Sequence, residues 1–173
     1  MTDVRLGSSR ETTAGVTVGE TAEPVTDAAA MDRALRLAAD AAAAAEIPVG
    51  AVVLDPEGRI LSEGRNNREE TADPTGHAEI VALRAAAAAR GSWNLSGCTL
   101  VVTMEPCVMC AGAILQSRVG RVVFGAWDDK AGAAGSLYDV LRDRRLPYRA
   151  EVVGGVREAE AVALLRTFFS PRR

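Results

Sequence analysis

Leu100-Val101-Val102-Thr103-Met104-Glu105-Pro106-Cys107-Val108-Met109-Cys110 is the stretch from which the fold of this 173-residue chain is read. Its first part, residues 100–103, is a continuous apolar run that suits a central strand buried on both faces. Its second part opens a helix expected over 107–116, with two cysteines one turn apart and able to point at one ion. Strand running into helix is half of a strand–helix–strand unit, and Arg121-Val122-Val123-Phe124-Gly125 reads as the second strand.

The two cysteines need a further ligand, and the chain holds one histidine, His77, two residues before Glu79. One imidazole and two thiolates make three zinc ligands, the number found in catalytic sites that keep a fourth position for water. A structural zinc site closes with four, and the sequence has no second His and no second paired-Cys motif. Zinc lowers the pKa of a bound water to about 7. Glu79, beside the metal without being a ligand, is placed to move protons. Helix N-termini at His77 and Cys107 favour ionised thiols. Taken singly, His77 reads as a core or surface residue, the cysteines as a redox pair and Glu79 as a helix-dipole acid. Their order, with Pro106 before the first Cys, favours the metal. Cys98 reads as a small buried hydrophobe.

Working outward, 27–46 is Ala-rich and helical, stopping before Pro48. Residues 50–54 and 59–64, joined by the turn Asp55-Pro56-Glu57-Gly58, read as a β-hairpin. A polar loop is expected over 65–76 and a helix over 77–90, ended by Gly91. After the strand at 121–125 come a loop over 126–135, a short helix near 137–141, a strand at 151–153 and a helix over 157–169. The fold class is α/β, a three-layer α/β/α sandwich around a central mixed five-stranded sheet.

Residues 1–26 are rich in Thr, Gly, Ser and Glu and read as a disordered extension, leaving 27–173 as a single zinc-dependent domain. Three cysteines, two of them assigned to the metal, argue against a disulfide framework. No signal peptide and no membrane-spanning run is visible, so a cytoplasmic location and no membrane partner are expected. The net charge of −3 speaks against a general nucleic-acid binder. Its distribution does not: residues 112–173 carry 11 basic and 7 acidic residues, a net +4.

With these residues laid out, the chain resembles the bacterial tRNA-specific adenosine deaminases of the cytidine deaminase-like superfamily from about Met31 onward. The resemblance is carried by Ile47-Pro48-Val49-Gly50-Ala51-Val52, Asp73-Pro74-Thr75-Gly76-His77-Ala78-Glu79-Ile80, Glu105-Pro106-Cys107-Val108-Met109-Cys110-Ala111-Gly112-Ala113-Ile114 and Arg118-Val119-Gly120-Arg121-Val122-Val123-Phe124-Gly125-Ala126. Two further matches are more discriminating. They are the loop Asp128-Asp129-Lys130-Ala131-Gly132-Ala133-Ala134-Gly135-Ser136 and the ending Phe168-Phe169-Ser170-Pro171-Arg172-Arg173. The chain departs from the family at Gly76, Met104 and Trp127, none of them a zinc ligand.

The resemblance implies a homodimer with one zinc per subunit, which converts adenosine to inosine at the wobble position of a tRNA anticodon stem-loop and releases ammonia. It implies that Asn66 bonds the flipped base, Val49 lines the pocket, and Asp128 and Lys130 meet the RNA. Asn66 also reads as a turn residue, Val49 as a strand-entry hydrophobe and Lys130 as a solvated charge, and the Asn66-Asn67 doublet leaves open which contacts the base. The alternative activity is a free-base or nucleoside deaminase acting on guanine, cytosine or cytidine. A catalytically silent partner subunit is the reading from outside the enzymes, and Glu79 argues against it.

Overall fold

The computed structural model describes residues 23–170. The expected disordered extension therefore lies outside the described residues except for 23–26, as does the terminal Pro171-Arg172-Arg173. The elements run α1 (Asp27–Ala43), β1 (Gly50–Leu54), β2 (Ile60–Arg65), α2 (Arg68–Thr71), α3 (Ala78–Arg90), β3 (Thr99–Met104), α4 (Val108–Gln116), β4 (Arg121–Ala126), β5 (Glu151–Val153) and α5 (Glu158–Phe169).

The sheet order is β2-β1-β3-β4-β5. β1 runs antiparallel to both β2 and β3, with Val52 opposite Val101 and Val53 opposite Leu100. β3, β4 and β5 are parallel, with Leu100 opposite Val122 and Val102 opposite Phe124. Four strands thus point one way and β1 alone points back, which makes the sheet mixed, as expected. Side chains alternate across it. Ala51, Val53, Leu100, Val102, Val122 and Phe124 pack with α3 and α4, while Val52, Leu54, Val101 and Val123 pack with α1 and α5. Burial on both faces is why these strands carry unbroken apolar runs.

Helix ends follow local chemistry. Thr26 caps α1 by accepting the Ala29 N–H on Oγ1 at 3.2 Å, with Asp27 in the first turn. α3 stops where Gly91 takes φ +64°. α1 ends at Ala43, short of the expected 46, because Ala45 turns to φ +62° and frees Glu46 to fold inward. The polar loop after β2 contains the one-turn α2, whose Glu69 and Glu70 N–H groups are both accepted by the buried Glu46 Oε1 at 2.8 and 2.9 Å.

The short helix expected near 137–141 is not formed. The N–H groups of Tyr138 and Val140 go instead to the carbonyls of Gly132 and Ala133, and Ala134 bridges Asp139. A hairpin-like fold-back has taken the donors that a helix needs. No helix among the described residues is long and apolar enough to cross a membrane.

Two glycines set how closely helices approach the sheet. A methyl group built on Gly50 lies 2.1 Å from the Ala34 carbonyl oxygen of α1, and one on Gly64 lies 2.6 Å from the Ala78 carbonyl of α3. Gly50→Ala should therefore lower stability by roughly 1–3 kcal/mol, the usual cost of overpacking a filled core. The measurement is a denaturant midpoint; an unchanged midpoint would show that α1 yields without cost.

Candidate metal centre and base pocket

β2 and β3 point the same way, so the segments that follow them emerge at the same end of the sheet. After β2 the chain reaches His77, the residue before α3, and after β3 it reaches Cys107, the residue before α4. His77 and Cys107 occupy the cap positions without making side-chain cap bonds, which leaves imidazole and thiol available. The α3 cap comes from elsewhere: Asn66 Oδ1 accepts the Ala78 N–H at 2.9 Å.

His77 Nδ1 stands 3.7 Å from Cys107 Sγ and 3.5 Å from Cys110 Sγ, and the ligand atoms of the three all lie within 4.8 Å of one another. A tetrahedral zinc with its ordinary bond lengths holds N and S about 3.6 Å apart. The donor set and its spacing fit that ion, and His77, Cys107 and Cys110 are the residues that would hold it.

Electrostatics around the cluster agree. A hydrogen bond from the Cys110 thiol, and a second with His77, hold the Cys107 thiol down at about 4. Cys110 is pushed up by the Cys107 sulfur beside it and by burial. The sulfur pair thus carries one negative charge and one proton, and binding of a divalent cation displaces such a proton. The bond with Cys107 also raises His77. Glu79, in the first turn of α3 and only 4% exposed, is pushed up to about 7, chiefly by burial. A carboxyl held there can both accept and release a proton near neutrality.

These groups face a cavity of about 220 Å³ lined by Val49, Asn66, His77, Glu79, Cys107 and Asp128 among others. Sites for drug-sized ligands run to roughly 300–1,000 Å³; this one suits something the size of a single ring system. Asn66 is buried with its Oδ1 used for capping, so its amide N–H faces the cavity as a donor. Asn67 does not line it, and its Oδ1 is buried without a partner. The doublet is thereby divided between two roles.

Asp128 reaches the cavity rim, but its Oδ1 already accepts the N–H groups of Lys130 and Ala131 at 3.0 and 3.2 Å. Lys130 is exposed on the loop and outside the cavity lining. Sequence reasoning gave no role to the residue that holds this loop. Glu105, 3% exposed, accepts the N–H groups of Asp128, Ala134 and Ser136 at 3.0, 2.9 and 3.1 Å. Burial alone would raise its carboxyl, yet these bonds bring it below the usual carboxylate range. A side chain at Gly132 would strike that carboxylate, at 2.3 Å from Oε2. The signal was present: an acid ending a buried apolar strand needs internal donors. Arg68, Leu165 and Phe169 also line the cavity and were not singled out as its lining.

Residues 24–126 match the family described as cytidine and deoxycytidylate deaminase zinc-binding region. A Haemophilus influenzae protein named tRNA-specific adenosine deaminase is 49% identical over 143 residues, 83% of this chain and 83% of that protein. A Deinococcus radiodurans protein named tRNA(Ile)-lysidine synthase is 53% identical over 145 residues. That match takes in 84% of this chain and 25% of the relative, so the chain spans about a quarter of that protein's length. A solved structure from studies of A-to-I editing by tRNA:A34 deaminases at the wobble position has a TM-score of 0.76 at 37% identity, covering 79% of this chain and 99% of that one. The convergence of His77, Cys107 and Cys110 beside a buried Glu79 is the arrangement that this likeness leads one to look for, and the chain belongs to the cytidine and deoxycytidylate deaminase zinc-binding family.

Proposed function

We propose that this protein is a zinc-dependent deaminase of tRNA, converting adenosine to inosine at the wobble position of the anticodon. The observation that carries the reaction type is the His77–Cys107–Cys110 cluster beside a buried carboxylic acid in a ring-sized cavity. The substrate class is supported by the tRNA-directed name of the Haemophilus influenzae relative and the subject of the solved structure.

His77, Cys107 and Cys110 would hold the zinc, which when bound would supply an activated water for attack on the ring carbon that bears the amine. The base must leave its stack to reach the cavity. Asn66 donates to its edge, and Val49 forms an apolar wall. Glu79 takes one proton from the attacking water and gives it to the ring nitrogen, then carries the remaining hydroxyl proton to the amine, which leaves as ammonia as the carbonyl forms. Its burial keeps the carboxyl near the pH at which both directions of transfer are open. The loop over 128–136, pinned by Glu105, borders the opening where flanking nucleotides pass. The location that fits this activity is the cytoplasm.

The protein is proposed to act as a homodimer. Between α3 and α4 lies an apolar groove of about 550 Å³ lined by Ile80, Leu83, Met109 and Ala113. Val108 and Met109, both exposed, sit between the two cysteines of the metal cluster, so a second copy seated there would adjoin the catalytic cavity. Light scattering should give twice the 18.1 kDa chain mass, and Met109→Glu should shift it to one. A wild-type monomer would contradict the assignment.

The direct test is incubation with a transcript of an arginine tRNA bearing adenosine at position 34, read by sequencing for inosine. Wild type should edit it. Glu79→Gln should lose at least the roughly 10²–10⁴-fold owed to a general acid/base, with zinc content unchanged. Rapid deamination of free guanine or cytidine with the tRNA untouched would replace this substrate with a small base or nucleoside. Loss of zinc in Glu79→Gln would make Glu79 a ligand and end its assigned role.

A further inference from the structure

At the opposite end of the sheet from the catalytic cavity, where β4 and β5 begin, lies a second cleft of about 750 Å³. Arg118, Arg142, Arg144 and Arg149 all line it, together with Tyr148. Its one acidic lining residue, Glu151, is engaged with Arg121 at 3.3 Å. Of the eleven described arginines outside the cleft, seven (Arg33, Arg59, Arg65, Arg84, Arg121, Arg145 and Arg157) pair with carboxylates. In this cleft only Arg142 does so, with Asp139 at 3.0 Å. Arg118, Arg144 and Arg149 have no hydrogen-bond or ion-pair partner among the described residues, and the Nε of Arg118 is buried without one.

Arg118 is also held in place. Its backbone takes φ +65°, which long side chains rarely adopt. Its guanidinium lies 3.5 Å from the Tyr148 ring centroid and 5.5 Å from that of Trp93. A guanidinium stacked on an aromatic face keeps its terminal N–H groups free for an acceptor with several oxygens. Guanidinium groups gathered without carboxylates repel one another, and an anion placed among them removes that repulsion. Phosphate oxygens meet the requirement, since each accepts from an arginine fork.

We infer that this cleft is a second RNA-binding site, gripping backbone phosphates of the substrate away from the nucleotide being deaminated. The inference rests on the tRNA reading of the catalytic site. It favours RNA over a small anion because the cleft, at about 750 Å³, is far larger than one phosphate and is lined by four arginines. β4, six residues long, separates the two sites by roughly 20 Å at 3.3 Å per residue. The cleft therefore engages RNA well removed from the edited base, and contributes to the net +4 of residues 112–173 in a chain that is acidic overall.

The test is Arg144→Ala combined with Arg149→Ala, two exposed side chains with no hydrogen bond or ion pair to lose, assayed with a full-length tRNA transcript over a salt series. KM should rise several-fold with kcat and zinc content unchanged. The dependence of log affinity on log salt should flatten by about one to two units, as expected for up to two lost phosphate contacts. The matching pair of Arg→Lys changes should recover most of the affinity. A wild type that edits tRNA while the double variant shows the same KM and the same salt slope would overturn the inference and leave the catalytic reading standing. Thermal stabilisation by inorganic phosphate, with tRNA kinetics untouched by the substitutions, would assign the cleft to a small anion and also overturn it. A wild type that edits no tRNA would fail at the catalytic reading instead.

Discussion

β1 lies antiparallel between β2 and β3, and that single reversal aligns the outer two with each other. Everything chemical in this protein depends on the alignment. Two strands pointing one way deliver two helix starts to one end of the sheet, and the His77 and Cys107 side chains meet there across thirty residues of sequence. The same geometry aims the positive ends of two helix dipoles at the cluster, where they favour thiolate over thiol and carboxylate over acid. The cavity beside it removes solvent, and burial raises Glu79 despite those dipoles. One topological choice thus gives a nucleus of metal ligands and a carboxyl poised near neutrality.

The surrounding structure keeps that end of the sheet exact. Gly50 and Gly64 let α1 and α3 press against β1 and β2 with no side chain between. Asn66 caps α3 from the end of β2, so a residue lining the cavity also secures the helix that follows His77 and carries Glu79. Glu105 does the equivalent work on the other side by drawing the loop over 128–136 against the strand that leads to Cys107. The cavity-lining Asn66 and the loop at the cavity rim are held by hydrogen bonds that cross between elements. Loss of one such partner leaves a buried charge or amide unsatisfied, which is more costly than losing a surface contact.

Much of this was legible in the sequence, and the reasons are physical. Buried strands announce themselves through apolar runs, and the strands at 50–54 and 100–103 lie where those runs do. The His-x-Glu and Pro-Cys-x-x-Cys order marks the cluster because few other tasks need those types together. What stayed hidden was set by long-range pairing. The segment near 137–141 has helix-forming Leu137 and Leu141, but the carbonyls of Gly132 and Ala133 take the N–H groups of Tyr138 and Val140. Glu105 looked like part of a motif rather than an anchor, because its three donors lie 23 to 31 residues away. Lys130, singled out by resemblance, stands outside the catalytic cavity, whereas the unpaired arginines at 118, 144 and 149 drew no attention in a chain with so many arginines.

The central claim is that three protein donors, one nitrogen and two sulfurs, converge to hold zinc with a position left for water. X-ray absorption at the zinc edge of the metal-loaded protein reads that shell directly. Two sulfur scatterers and two lighter nitrogen or oxygen scatterers are expected, with the imidazole signature lost in His77→Ala. A shell of four sulfurs, or one that does not change when His77 is replaced, would contradict the account.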